Sequence, residues 1–178
     1  MLNEIRADIE RLREVPGRPW PWFFIEAMAF DSGFQAVLFY RVARACRERG
    51  IPFLGPFLAR LGLFLTGADI SPAAEIGGGL RLAHSVGLVV GGGVRLGRGA
   101  KLLHGVTIGA RRQNELGRMP VAGDNLFMGA GASLLGPITV GVNCFIGAHT
   151  LVTQDLPDNT RVVSAAAIQL LTQHADRP

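Results

Sequence analysis

The stretch "LAHSVGLVVG", residues 82–91, sets one imidazole, His84, among small and aliphatic residues, and Asp69 precedes it in the same segment. A histidine so placed is either a structural side chain hydrogen-bonded to a neighbour or a group that takes up and releases protons near neutral pH. An Asp beside a His is the pair that general-base catalysis needs. The carboxylate holds the imidazole in one tautomer and stabilises the imidazolium formed when it accepts a proton. A hydroxyl resting against such a pair becomes a nucleophile. Asp69 alone has a plainer reading, as the cap of a turn ahead of Ser71-Pro72. The choice turns on the elements that carry both residues.

From residue 67 onward glycine is frequent, and small or aliphatic residues recur every six positions. They are Ile70, Ile76, Leu82, Leu88, Val94, Ala100 and Val106, then, after an interruption at 110–120, Ala122, Met128, Leu134, Val140, Ile146 and Val152. A fixed interval held this long overrides ordinary strand assignment. It predicts short flat strands joined by tight turns, three to a coil, each aliphatic residue pointing inward and stacking on its counterpart about eighteen residues on. Glycines directly after inward residues, such as Gly77, Gly129 and Gly147, leave room for the backbone to bend. The fold class is therefore mainly β: a parallel β-helix of hexapeptide repeats over 67–163, with a loop at 110–120 and a C-terminal tail at 164–178. In this frame His84, two residues past inward Leu82, lies off the core near a coil edge. Gly87 stands above Asp69, so His84 falls three residues short of stacking on Asp69, a separation two side chains can cross around a corner.

Residues 1–66 read as a small all-helical N-terminal domain. "EIRADIERLRE" places Ile5, Ile9 and Leu12 on one face before Pro16, Pro19 and Pro21 stop it, and a short helix follows at 22–30. "FQAVLFYRVARACRER" is closed by Gly50-Ile51-Pro52, with Arg41, Arg44, Arg47 and Arg49 as a solvated face. "FLGPFLARLGLFL", 53–65, is too short to cross a bilayer, is interrupted by Pro56 and Arg60, and reads as a packed helix.

Composition removes several classes. With 48% hydrophobic residues in 178, the chain buries a real core, which excludes a disordered tail protein. Residues 1–66 and 67–178 each carry nine basic and seven acidic groups, so the net charge of +4 forms no basic arm, and nucleic acid is not an expected partner. Cys46 and Cys144 are the only cysteines, no secretory segment opens the chain, and no C-x-x-C spacing suggests a metal. A cytoplasmic protein with reduced thiols, no membrane partner and no metal is the expectation.

The segments "GADISPAAEIGGGLRLAHSVGLVVG", "LLHGVTIG", "GRMP" and "MGAGASLLGPITVG" together resemble the serine acetyltransferase family of hexapeptide acyltransferases, over about residues 30–163. The preceding "GFQAVLFYRVA" and "LFLTG" fit as well. The resemblance implies a left-handed coil, an exception to the usual right-handed crossover. It also implies direct acetyl transfer from acetyl-CoA, or another acyl-CoA, to an acceptor hydroxyl in a homotrimer whose sites lie between neighbouring β-helices. By position, His84 is then the general base and Asp69 its orienting partner, Arg118 holds the acceptor's carboxylate, and Ala110, Ala130 and Ala148 line a track for pantetheine.

Several positions depart from the family pattern. Ala83 stands where the family has an Asp that holds the substrate ammonium, and Met119 stands where it has a second histidine. No acidic residue of the N-terminal "D-P" kind is evident around Glu14 to Gly17, and Phe145 replaces a common lysine. Arg111 and Arg112 are the candidates for the CoA phosphates, or else simply solvated loop residues. The expected acceptor is thus serine or, with the amino-acid clamp reduced, a different hydroxyl compound of a specialised pathway. A catalytically silent trimeric scaffold is the remaining alternative. Set against the longer tail, ending in isoleucine, of family members that dock into a sulfhydrylase, the short tail implies no such complex; cysteine, which uses the serine pocket in the family, is expected to inhibit weakly, and the small helical part favours a trimer over a dimer of trimers.

Overall fold

The computed structural model describes residues 2–12, 20–112 and 117–164. Among them, helices α1 (Leu2–Leu12), α2 (Trp20–Phe30), α3 (Ser32–Glu48) and α4 (Leu54–Thr66) lead into a left-handed parallel β-helix. Its first face stacks β1 (Asp69–Ile70), β4 (Val89–Val90), β7 (Thr107–Gly109), β10 (Ser133–Leu135) and β13 (Leu151–Val152). The second stacks β2 (Glu75–Ile76), β5 (Arg95–Leu96), β8 (Val121–Ala122) and β11 (Thr139–Val140). The third stacks β3 (Arg81–Ala83), β6 (Lys101–Leu103), β9 (Phe127–Met128), β12 (Phe145–Ile146) and β14 (Arg161–Val162).

Inside the prism, Ile70, Val90, Ile108, Leu134 and Val152 form one column, and Leu82, Leu102, Met128 and Ile146 another. The residue two before each strand position, such as Leu88, Val94, Ala100 or Val106, is buried as well. Each such side chain contributes about 1.5–3 kcal/mol when fully buried, so the repeat itself supplies most of the driving force.

Two inward positions per repeat explain a slip in the six-residue series. Up to Leu82 the series marks strand residues; from Leu88 to Val106 it marks the turn residues two places earlier. The cause is the step from Leu82 to Val90, which takes eight residues where Leu102 to Ile108, Met128 to Leu134 and Ile146 to Val152 take six. One expectation is thereby corrected. Gly87 does not stand above Asp69; its N–H donates to the Gly67 carbonyl at 2.9 Å, and Asp69 pairs with Val89.

The helices close the open end of the prism. Arg41, expected on a solvated face, is instead only 2% exposed. Its guanidinium donates to Asp8 Oδ2 at 2.9 Å and Oδ1 at 3.1 Å, and to the carbonyls of Ile76 at 2.6 Å and Gly77 at 2.7 Å. Asp8 in turn accepts from the Gly79 and Leu80 N–H groups at 2.8 and 2.7 Å. Tyr40 donates to the Ala74 carbonyl at 2.9 Å, and Arg44 donates to the same carbonyl. Burial pushes the Tyr40 phenol above its ordinary pKa, against the opposing pull of Arg41 and Arg44. Helix α4 lies against α3 through Gly55 and Gly62, where an added Cβ would come within 2.9 Å of the Ala43 carbonyl and 2.8 Å of Phe39 Cβ. That packing leaves Phe57 and Phe64 outward at 62% and 84% exposure, so this helix is covered on one side only. Among the described residues, no helix is long and apolar enough to cross a membrane.

Asp8→Ala strips the buried guanidinium of its counter-charge. It is expected to cost about 3–5 kcal/mol in urea unfolding, as breaking one side of a buried pair does.

Candidate functional site

The strand register fixes which side chains share a corner. His84, His104, Ala130 and Ala148 each stand two residues past an inward member of the column Leu82, Leu102, Met128 and Ile146. They therefore stack along the corner between the third and first faces. The His84 and His104 rings meet edge to face with centroids 6.3 Å apart. Both imidazoles and Ala148 are exposed, and Ala130 is half-buried. Strands of one face lie ~4.8 Å apart, so His84 to Ala148 spans three steps, about 14 Å, along a strip that narrows from rings to methyl groups.

His84 occupies the lengthened corner and has φ +61°. A non-glycine residue in that region is uncommon and costs energy, and such residues gather at functional sites. Asp69 opens β1 on the far side of the same corner, also exposed. Among the described residues, neither the His84 ring nor the Asp69 carboxylate forms a hydrogen bond, to each other or elsewhere.

The remaining candidates divide between corners. Ala83 is half-buried at the end of β3, with Leu103 as its cross-strand neighbour. Arg118 is exposed at the end of the loop, whereas Met119 is half-buried and folds back onto the adjacent corner, its Cγ 3.3 Å from where a Cβ on Gly93 would stand. Arg111 and Arg112 are exposed at the start of the loop, whose residues 113–116 lie outside the described set. Ala110 follows β7 on the first face, since Gly109 pairs with Leu135, and so sits at a different corner from Ala130 and Ala148. The three alanines do not form one track within a chain; two corners are involved. His149 is a surface residue standing over Gly131, and His174 and the region from Glu14 to Gly17 lie outside the described residues. Among the described residues, no three His, Cys, Asp or Glu side chains converge as a metal site would require.

His104, which sequence reasoning did not single out, shares the corner with His84. The signal was present: His104 follows Leu102 as His84 follows Leu82. It is visible only when the first coil is allowed two extra residues.

No family model matches the chain. Serine acetyltransferase of Helicobacter pylori strain J99 is 36% identical over 167 residues, covering 93% of this chain and 96% of the relative. The chain belongs to the serine acetyltransferase family. The Mycobacterium tuberculosis serine acetyltransferase is 34% identical, across all of this chain and 76% of its own length. Among solved structures, Neisseria gonorrhoeae serine acetyltransferase in complex with serine superposes with a TM-score of 0.81 at 32% identity, covering 94% of this chain and 68% of that one. Serine acetyltransferase isoform 3 of Entamoeba histolytica, in complex with cysteine, gives 0.83 at 28% identity, covering 96% and 60%. Membership makes the chain an acyltransferase and accounts for the left-handed coil.

The left-handed backbone at His84 has its own test. His84→Gly should exceed His84→Ala in stability by about 1 kcal/mol in denaturant unfolding, because glycine enters that conformation without a Cβ penalty.

Proposed function

We propose that this protein is an acetyl-CoA-dependent O-acetyltransferase in which His84 is the general base. The observation that carries the reading is the strip His84, His104, Ala130, Ala148 on one exposed corner. A thin thioester arm resting on the two alanines extends about three strand spacings, ~14 Å, and delivers its carbonyl beside the imidazoles. His84 takes the proton of the acceptor hydroxyl as its oxygen bonds to the thioester carbon. The C–S bond then breaks, and the imidazolium returns the proton to the departing CoA sulfur. Asp69 steadies the imidazolium once the site closes, since catalytic hydrogen bonds often tighten only with substrate bound. His104, one coil away, is placed to donate to the thioester oxygen as charge gathers on it.

A second chain completes the site in this reading. The corner bearing Ala110 and the loop bearing Arg118 lie away from the His84 strip, so a homotrimer that sets one prism's His84 corner against its neighbour's loop supplies both. Arg118 then offers a fork of donors to an acceptor carboxylate.

The acceptor side favours a second reading, in which the hydroxyl belongs to something other than free serine. Ala83 faces Leu103, and Met119 commits its side chain to the Gly93 corner, so neither offers a charge to an ammonium group. The donor strip is unaffected by either substitution.

Thiol release from acetyl-CoA, measured with serine and a panel of hydroxyl acceptors, separates these readings. His84→Ala should lose about 10²–10⁴-fold in kcat. Turnover with serine supports the first reading, turnover only with another acceptor the second, and no turnover with any acceptor defeats both. Ala148→Trp, which fills the narrow end of the strip, should raise KM for acetyl-CoA by about tenfold or more while leaving the thermal midpoint in place.

A further inference from the structure

Immediately after His84, Ser85 is fully buried, with 0% exposure, although its neighbours Val86 and Gly87 are exposed. Its hydroxyl donates to the Thr66 carbonyl at 2.7 Å and shares a second hydrogen bond with the Ser32 hydroxyl at 3.1 Å. Thr66 closes α4 and Ser32 opens α3, so one side chain joins the lengthened corner to two helices at once. Backbone bonds also reach the corner: Gly87 N–H donates to the Gly67 carbonyl at 2.9 Å, Gly105 N–H donates to the Val86 carbonyl at 3.0 Å, and Leu88 N–H reaches back to the Ser85 carbonyl at 3.2 Å, but none of them holds the side-chain end of the residue that follows His84. The equivalent corners of the later coils are two residues shorter and, among the described residues, carry no hydrogen bond to the helices.

We infer that Ser85 is a positioning residue for His84, a role that rests on the reading of His84 as the catalytic base. The hydroxyl pins the residue that follows a backbone in the left-handed region, and so fixes the direction in which the imidazole leaves the prism. Without it, an eight-residue step that every other coil completes in six has slack at the point where the ring must hold its direction. Reacting groups displaced by about 1 Å lose on the order of a hundredfold in rate, so a tether of this kind acts on kcat rather than on donor binding.

The test compares Ser85→Ala and Ser85→Thr with the wild type. Ser85→Ala should lower kcat by about ten- to a hundredfold with KM for acetyl-CoA within about twofold, and Ser85→Thr, which keeps the hydroxyl, should recover most of the rate. Amide exchange in Ser85→Ala should quicken by about tenfold at residues 85–88 while the strand amides of β4 and β7 stay protected. A lowered thermal midpoint with unchanged kcat would make Ser85 merely structural and overturn the inference. Unchanged exchange at the corner would overturn it equally. If the wild type turns over no acceptor, the functional reading has failed on its own account, and the exchange comparison still decides whether Ser85 holds the corner.

Discussion

The whole β-helix obeys one constraint: each coil must bring its three strands back into register with the coil before. The inward columns enforce this, because displacing a strand by one residue turns its apolar side chain out of the prism. Extra residues are therefore admitted only at corners. Two corners take them, the step from Leu82 to Val90 and the much longer one from Ile108 to Ala122. The first carries His84, and the second carries Arg118 and Met119. The strands supply stability, and the places where the repeat is broken hold the base and the acceptor-side residues of the proposed reading.

A parallel coil has a second requirement, since its first turn exposes backbone groups with no strand above them. Here the helices satisfy them with side chains rather than with another strand. Arg41, Asp8, Tyr40 and Arg44 together engage the backbone of Ala74, Ile76, Gly77, Gly79 and Leu80. Burying a charge pair is costly unless hydrogen bonds satisfy it; here Arg41 makes four, and Asp8 accepts two more from backbone N–H groups. Gly33 lets α3 come close enough, since a Cβ there would stand 2.2 Å from the Leu82 carbonyl. The helical part is thus an end cap, and His84 lies on the coil it caps.

The fold was legible because the repeat is a property of the chain itself: inward residues at a six-residue step announce a coil without any knowledge of partners. The slip at Leu88 was not legible, because strand and turn positions are equally apolar and the step cannot say which it is counting. Arg41 was misread for a related reason. A helical face of arginines looks solvated when judged against its own helix, and the groups that bury it are carbonyls about 35 residues away in sequence. The candidacy of His84 came from the residue types and the family resemblance. Its strained backbone, the tether at Ser85 and the alignment with His104 depend on the corner's length and needed the coordinates.

On the proposed reading, this division is what would let one scaffold change its acceptor without losing its reaction. The donor strip runs over coils held by repetition, including the Asn125, Asn143 and Asn159 ladder, with side-chain amides 2.9 and 3.0 Å apart, and the stacked rings of Phe127 and Phe145 at 4.6 Å. Those ladders pass from coil to coil without reaching the residues that would meet the acceptor. The proposed acceptor side draws instead on Ala83, at the end of β3 where the lengthened corner begins, and on the loop with Arg118 and Met119. Substitution there costs the columns nothing. The carboxylate and imidazole that the family resemblance implies at residues 83 and 119 are replaced by Ala83 and Met119, while His84, Ala130 and Ala148 stay where the register puts them.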